Sequence, residues 1–415
     1  MKVESFDIAI IGCGPAGLAA AISAKQNGAK KVLVIDRNSW SGGILNQCIH
    51  DGFGVEETGI SMTGPEYAEK YVHKAEQLGV LFMLETMVLD LNFKKEIIAV
   101  NRIGLYKIKA NSIILSMGCR EKTRWNVMIP GTRPSGIFTA GVAQAFINLY
   151  NIIPGKNILI LGSGDVGLIM ARRLKFEGAN VLGVVEILPY ASGLLRNVVQ
   201  CLKDYDIPLY LNHTITSIEG KDRLEKVVIS QVDNERFPIV GSEKDIFCDT
   251  LLLSLGLIPE NELSKNLGVK IDPNTGGPVV NQCLETTISG VFACGNCLQV
   301  YDTVDMLSVD SQIAGYNASS KIFKKNNFDS FACIIPGGGV GYVVPQVVDN
   351  PGKIWLTFRV KKPNENIFLD IKCGNIKILR KKFRWVNPAN MIRLEVDISS
   401  EIINSGFDIE VSIDE

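Results

Sequence analysis

The sequence predicts an α/β protein with two Rossmann-like domains in tandem and a small β domain at the C-terminus. Three observations carry that expectation. The stretch Asp7-Ile-Ala-Ile-Ile-Gly12-Cys-Gly14-Pro15-Ala16-Gly17-Leu-Ala-Ala-Ala reads as a short buried strand, a glycine turn and a helix. Lys156-Asn-Ile-Leu-Ile-Leu-Gly162-Ser-Gly164-Asp165-Val166-Gly167 restates it 150 residues later. From Phe331 onward the character changes to short β runs, such as Lys353-Ile-Trp-Leu-Thr-Phe-Arg-Val and Met391-Ile-Arg-Leu-Glu-Val-Asp-Ile, with turns at Pro336-Gly-Gly-Gly and Asp349-Asn-Pro-Gly.

Length and composition bound the possibilities. At 415 residues the chain is long enough for roughly two to three domains, each with a sizeable core. Lys and Arg number 43 against 44 Asp and Glu, a formal net charge of -1, and no basic block is interleaved with aromatics. Nucleic acid is therefore not an expected partner. No uncharged run reaches the length of a membrane span and no cationic leader precedes the first apolar run, so the expectation is a cytoplasmic protein. Ten cysteines spread over this length are expected to be mostly reduced packing residues.

Taken in order, the first repeat begins with the glycine turn. Gly12 permits the tight turn, Gly14 lets a pyrophosphate approach the backbone, and Gly17 lets the helix lie close to its strand. A second apolar strand, Lys31-Val-Leu-Val-Ile, ends in Asp36, nineteen residues after Gly17, where a carboxylate accepts hydrogen bonds from a ribose diol. The polar, glycine-rich stretch Ser41 to Gly52 follows as a loop, and Thr63 to Gly79 has the apolar spacing, early Pro65 and closing glycine of an amphipathic helix. Three β-rich runs, Leu81 to Asp90, Glu96 to Ile103 and Leu105 to Leu115, form an expected meander whose last strand continues to Gly118. In the second repeat Val181-Leu-Gly-Val-Val ends in Glu186, again nineteen residues after the third glycine, and the closing strand Asn111 to Gly118 is echoed by Asp249 to Gly256. The chain then passes a hairpin-like turn at Ile271-Asp-Pro-Asn-Thr-Gly-Gly into Gly290-Val-Phe-Ala-Cys294-Gly295-Asn296 and a helix from about Asp302 to Lys324. Expected domain bounds are 1–120 with 261–330, 121–260, and 331–415.

With these motifs in this order the chain resembles the two-dinucleotide-domain flavoproteins, the pyridine nucleotide-disulfide oxidoreductases of the thioredoxin and glutathione reductase kind, over roughly residues 5 to 325. The resemblance implies an FAD site at Gly12, Gly14, Pro15, Ala16, Gly17, Asp36, Arg37, Gly43, Gly118, Gly295 and Asn296. It implies an NAD(H) site at Gly162, Gly164, Asp165, Val166, Gly167 and Glu186. Asn296 stands where that family usually places a carboxylate for the ribityl chain; an amide still hydrogen-bonds a hydroxyl but brings no charge. The stretches Gly42 to Gly54, Gly162 to Arg173, Cys294-Gly-Asn and Asp302-Thr-Val-Asp305 also look like the flavoprotein subunits of heteromeric dehydrogenases: opine oxidase, hydrogen cyanide synthase, dye-linked proline dehydrogenase and the companion of anaerobic glycerol-3-phosphate dehydrogenase. That likeness implies an electron-handling subunit with a second FAD-dependent dehydrogenase as partner, the glycerol-3-phosphate type favoured, and an electron carrier as a further one.

The candidate chemistry is narrow. A glutathione-reductase arrangement needs a cysteine pair in the loop after the ribose strand and a C-terminal histidine. That loop has Cys48 alone, and the histidines are His50, His73 and His213. Ser135 to Ala143 contains no thiol where a thioredoxin reductase keeps its pair. The remaining pair is Cys294-Gly-Asn-Cys297, read either as a dithiol beside the flavin or as a core residue with an adventitious neighbour. One such pair is too few ligands for a metal centre, and none is expected. His50-Asp51 is either an acid-base pair or a solvated loop, and Asp302 and Asp305 are read as caps of the helix that follows. A free-standing NADH-dependent reductase of disulfides or small acceptors using Cys294 and Cys297, and a nucleotide-binding scaffold without turnover, are the alternative functions. Trp355, Phe358, Phe383 and Trp385 look exposed among lysines and arginines and are candidate interface anchors.

Overall fold

The computed structural model describes residues 2–323 and 331–414. The chain divides into two compact units, residues 1–119 with 259–415, and residues 120–258.

The first unit is built on a sheet of β1 (Lys2–Ile11), β2 (Val32–Ile35), β3 (Leu81–Met83), β4 (Met87–Leu91), β5 (Glu96–Asn101) and β6 (Gly104–Leu115), ordered β3-β2-β1-β6-β5-β4. β1, β2, β3 and β6 run parallel, while β4, β5 and β6 form the antiparallel meander. The expected single run from Leu81 to Asp90 is two strands. The chain breaks at Glu85, which has a positive φ of 49°, so the first half joins the parallel edge and the second opens the meander.

Helix α1 (Pro15–Gln26) is almost wholly buried and rich in alanine. That composition has a reason in packing: α1 lies against the long helix Val304–Phe323 so closely that a Cβ on Gly315 would stand 2.1 Å from the Ala20 carbonyl oxygen. The Ser23 hydroxyl crosses the same interface to the Gln312 carbonyl at 2.8 Å. α2 (Gly64–Gln77) starts with a capping box between Thr63 and Glu66, the reciprocal pairing that satisfies two first-turn donors. Its buried Tyr67 and Tyr71 hydroxyls both donate to Glu57, which fastens the loop between β2 and α2.

The second unit repeats the plan with β7 (Asn157–Leu161), α3 (Asp165–Phe176), β8 (Asn180–Glu186) and β9 (Thr250–Leu253). Its parallel sheet runs Leu209–Leu211, β8, β7, β9, Ile137–Thr139, and a separate antiparallel sheet of three strands lies between residues 213 and 247. The chain re-enters the first unit, turns at the Ile271–Pro278 bridge and delivers β10 (Val291–Ala293) to the open side of β6. Helix α4 (Val304–Phe323) follows. The expected end of this helix at Lys324, and residues 324–330 of the expected first-domain segment, lie outside the described residues.

Residues 331–414 form two sheets, one of five strands and one of three, around their own apolar cluster with Leu356, Phe358, Leu369 and Ile371 at its centre. Phe358 is fully buried there, a correction to its reading as an exposed anchor. Period-two alternation along Gly352–Val360 turns it inward while Trp355, 40% exposed, points out. Trp385 is exposed at 47%. Among the described residues no helix is long and apolar enough to cross a membrane.

Candidate functional site

The first glycine turn shows which of its glycines the fold itself demands. Gly12 sits at φ +109°, and a Cβ there would lie 2.3 Å from the Ser116 carbonyl oxygen; one on Gly17 would lie 2.0 Å from the Gly12 oxygen. Gly14 is different, since a Cβ would meet nothing within 4 Å. Protein packing therefore leaves open the place where a phosphate has to come close to the backbone. Pro15 occupies the first helical position, and the first turn of α1 leaves the N–H groups of Ala16 and Gly17 without intrahelical acceptors, a ready anion site. Gly43 closes the far side: its Cβ would stand 2.9 Å from the Gly14 Cα, and Gly42 N–H donates to the Cys13 carbonyl at 2.8 Å.

Asp36 follows β2, half-buried beside this turn. Its Oδ2 accepts from Cys13 N–H at 2.7 Å and its Oδ1 from Asn38 N–H at 2.8 Å, so the carboxylate is oriented by backbone donors and its remaining lone pairs can serve a diol. Arg37 beside it is exposed. Open backbone, helix N-terminus and oriented carboxylate together fit the adenosine diphosphate portion of a dinucleotide.

The Gly295-Asn296 turn meets the same helix. Gly295, at φ +71°, brings the backbone to 2.5 Å between its would-be Cβ and that of Ala16. Asn296 accepts from Tyr301 N–H through Oδ1 at 3.1 Å and donates from Nδ2 to Cys119 Sγ at 3.6 Å. Its amide is held at the C-terminal ends of β6 and β10, near Gly118, whose carbonyl accepts from Glu260 N–H at 3.0 Å.

Cys294 and Cys297 are both fully buried, with no disulfide between them. Burial pushes the Cys297 thiol up to about 12 and the Cys294 thiol higher still, with the neighbouring sulfur adding to the rise. Cys297 Sγ donates to the carbonyls of Leu115 and Cys294, each at 3.2 Å. These are the properties of packing thiols, since a nucleophilic pair needs thiolate character and access. His50 contacts the Asp51 carbonyl at 3.1 Å and tilts against Phe53 at 4.9 Å, so its contact with Asp51 is to the backbone.

Asp302 stands just before α4 and Asp305 in its first turn. Thr303 caps this helix, its Oγ1 accepting from Met306 N–H at 3.4 Å. Asp305 receives Gly54 N–H at 3.1 Å and Glu57 N–H at 3.0 Å, holding the single turn Val55–Thr58. Asp302 pairs with Arg359 and accepts from Met391 N–H at 2.5 Å, tying the C-terminal sheets to the segment before α4.

In the second unit the same construction recurs at a spacing of 150. Gly162 sits at φ +94° with a would-be Cβ 2.1 Å from the Ser254 oxygen. Glu186 accepts from Ser163 N–H and Leu188 N–H, both at 3.0 Å, just as Asp36 accepts from Cys13 and Asn38. Here, however, the loop after β8 folds back over the carboxylate. Ser163 Oγ donates to Glu186 at 2.5 Å, Ser192 Oγ donates at 3.0 Å, and Ser192 N–H donates to Ser163 Oγ at 2.8 Å. Glu186 is only 5% exposed as a result. Asp165, at the start of α3, accepts from Leu194 N–H at 2.8 Å and Asn197 Nδ2 at 2.6 Å, while the Gly167 N–H is met by Ser254 Oγ at 3.1 Å. Ser163, Ser192 and Asn197 were not singled out by the sequence. Ser192-Gly193 carried a turn signal, but nothing local says which carboxylate such a turn will cover.

Known proteins resemble the chain in sequence and fold. An opine oxidase chain of Agrobacterium tumefaciens (strain Ach5), named as one subunit of that enzyme, is 25% identical over 316 residues, 71% of this chain and 61% of that protein, so the chain spans only part of that relative's length. The ferredoxin–NADP reductase of Picrophilus torridus is 23% identical over 302 residues, 72% of this chain and 87% of that one. Among solved structures, T. acidophilum thioredoxin reductase shares the fold with a TM-score of 0.63 at 22% identity, covering 77% of this chain and 99% of its own. Residues 6–311 match the family model for pyridine nucleotide-disulphide oxidoreductases, a span that takes in both glycine turns, both carboxylates and the Gly295-Asn296 motif. The chain is thus a member of the pyridine nucleotide-disulphide oxidoreductase family, an FAD-binding oxidoreductase that uses a pyridine nucleotide.

Proposed function

We propose that this chain is the FAD-containing electron-transfer subunit of a heteromeric dehydrogenase, with a second FAD-dependent dehydrogenase of the glycerol-3-phosphate type as the favoured partner and the cytoplasm as its place. The observation that carries the reading is the sealing of Cys294 and Cys297. With both sulfurs buried and their thiols raised, the chain offers no accessible dithiol beside Gly295-Asn296, and electron transfer is the chemistry left to it. The opine oxidase relative is by its name one component of a larger enzyme, which agrees with a role in an assembly.

Bound FAD supplies the exchange of electrons. The chain's own residues do the rest: Gly14 and the first turn of α1 receive the pyrophosphate, Asp36 the adenosine ribose, and Asn296 a hydroxyl of the ribityl chain without adding charge. In the second unit Glu186 receives the ribose diol of a nicotinamide dinucleotide. Its charge disfavours a 2′-phosphate, and no arginine occurs among the nine residues after it, so NADH is preferred to NADPH. Anaerobic titration with each nucleotide, followed by the bleaching of the flavin, tests this; equal or reversed preference overturns it.

The subunit reading is tested by expressing the chain alone and with candidate partners. Alone it should oxidise glycerol 3-phosphate, proline or opines only marginally with artificial acceptors, and coexpression should restore activity. Turnover by the isolated chain at ordinary enzymatic rates, on the order of 1 to 1000 per second, refutes it. The second reading, a free-standing NADH-dependent reductase, is favoured by the near-complete coverage, 87%, of the ferredoxin–NADP reductase relative, and rapid NADH oxidation with small acceptors by the isolated chain would establish it.

A further inference from the structure

From Val291 to Gln299 every residue is buried except Asn296, which is half-buried. Its amide is turned by a proton that cannot rotate. Oδ1 accepts from the Tyr301 backbone N–H at 3.1 Å, which leaves Nδ2 facing Cys119 Sγ at 3.6 Å. An amide oxygen has two lone pairs, so Oδ1 keeps one for another donor.

The N–H that turns Asn296 belongs to the same peptide group as the Val300 carbonyl, and that group is planar and rigid. The carbonyl end is held from the C-terminal sheets. Arg359, on the strand Gly352–Val360, donates from Nη2 to the Val300 oxygen at 3.0 Å and to the Asp302 carboxylate. Its Nη1 donates to the carbonyls of Pro388 and Ala389 at 2.9 and 2.8 Å, and its Nε to the Tyr342 hydroxyl at 3.1 Å. All five N–H groups of the guanidinium are thereby placed, in a fixed fork that lysine cannot reproduce. Asp302 is anchored in turn by Met391 N–H at 2.5 Å. One chain of hydrogen bonds thus runs from guanidinium to peptide to amide, each link polarising the next.

We propose that Arg359 is a positioning residue for the flavin. Acting through the Val300–Tyr301 peptide, it fixes the direction in which Asn296 offers Oδ1 to the ribityl chain, so that the C-terminal sheets help to hold the cofactor. This rests on the reading of Asn296 as the ribityl contact.

Dilution of the full-length flavoprotein, with free FAD separated by ultrafiltration, measures the Kd for FAD. Asn296→Ala should raise it about three- to tenfold, the worth of one hydrogen bond. Arg359→Lys keeps the positive charge and loses the fork, so it tests geometry and not net charge. It should raise Kd by a similar factor in the parent and no further in the Asn296→Ala background. A merely structural role would lower the melting temperature in both backgrounds without that coupling. Asp302→Asn, which keeps the size of the group and gives up one accepted bond, goes through the same cycle with the same expectation and decides the matter if Arg359→Lys does not fold. Unchanged Kd on loosening the fork, or equal factors in both backgrounds, overturns the proposal while the ribityl reading stands. Unchanged Kd in Asn296→Ala overturns that reading and the proposal with it.

Discussion

The two candidate nucleotide sites share a skeleton and differ in how each is covered. Cys13, Asp36 and Asn38 in the first correspond to Ser163, Glu186 and Leu188 in the second, each pair 150 residues apart, and the backbone donors clamp the carboxylate in the same way. In the first site Asp36 is half-exposed and Gly14 opens on free space. In the second, Ser192 and Ser163 lay two hydroxyls on Glu186, and a carboxylate, Asp165, stands where the first has Pro15. Duplication thus preserved the clamp and altered the lid. On the proposed assignment the first site receives its dinucleotide directly, whereas in the second a ribose reaches Glu186 only by displacing the hydrogen bonds of its own loop.

The sharpest way to break this comparison is at the glycines. Gly12→Ala forces a side chain into a left-handed conformation and onto the Ser116 oxygen, a cost of roughly 2 kcal/mol or more, and should lower both melting temperature and flavin content. Gly14→Ala meets nothing in the protein, so the flavin-free protein should melt as the parent does while flavin content falls. Equal loss of stability in both variants would deny the division of labour. Gly162→Ala should damage the second unit and spare flavin content.

A smaller effect sharpens the difference in the lids. Ser192→Ala removes one hydrogen bond to Glu186, about 0.5–1 kcal/mol, and should tighten NADH binding by about two- to fivefold. Unchanged or weaker binding in anaerobic titration would mean that the loop assists the nucleotide. Smallest of all is the thiol pair. Cys297→Ser should leave flavin content and reduction nearly unchanged, and iodoacetamide at about pH 8 should label half-buried Cys333 well before Cys294 or Cys297, because the thiolate is the reacting form and burial has moved those two far above that pH. Peptide mapping by mass spectrometry reads the order.

Much of the architecture was legible because it is local. A glycine turn, an apolar strand and a terminal carboxylate lie within thirty-odd residues, and their repetition at a fixed spacing fixes the tandem plan. What escaped was set by distant contacts. Asp305 stands near the start of a helix and looks like its cap, yet the donors it receives are Gly54 and Glu57, some 250 residues away in sequence. Phe358 among cations looks exposed until the strand's alternation and its facing sheet are known. The covering of Glu186 depends on where Ser192 lands, which no propensity encodes.

β6 gives the chain an order of assembly. Twelve residues long, it pairs along β1, and its last three residues, Ile113 to Leu115, also pair with β10. β10 is encoded roughly 180 residues later, beyond the whole of the second unit. During synthesis at about 5–20 residues per second, the Ile113–Leu115 edge therefore waits on the order of ten to forty seconds for its neighbour, while the inserted unit has all of its own strands and can fold first. An apolar strand edge left open for that time is a template for foreign pairing. Slowed translation between the two, or a ribosome-bound chaperone that shields the edge, would then govern the yield of folded protein more than the stability of the finished molecule does.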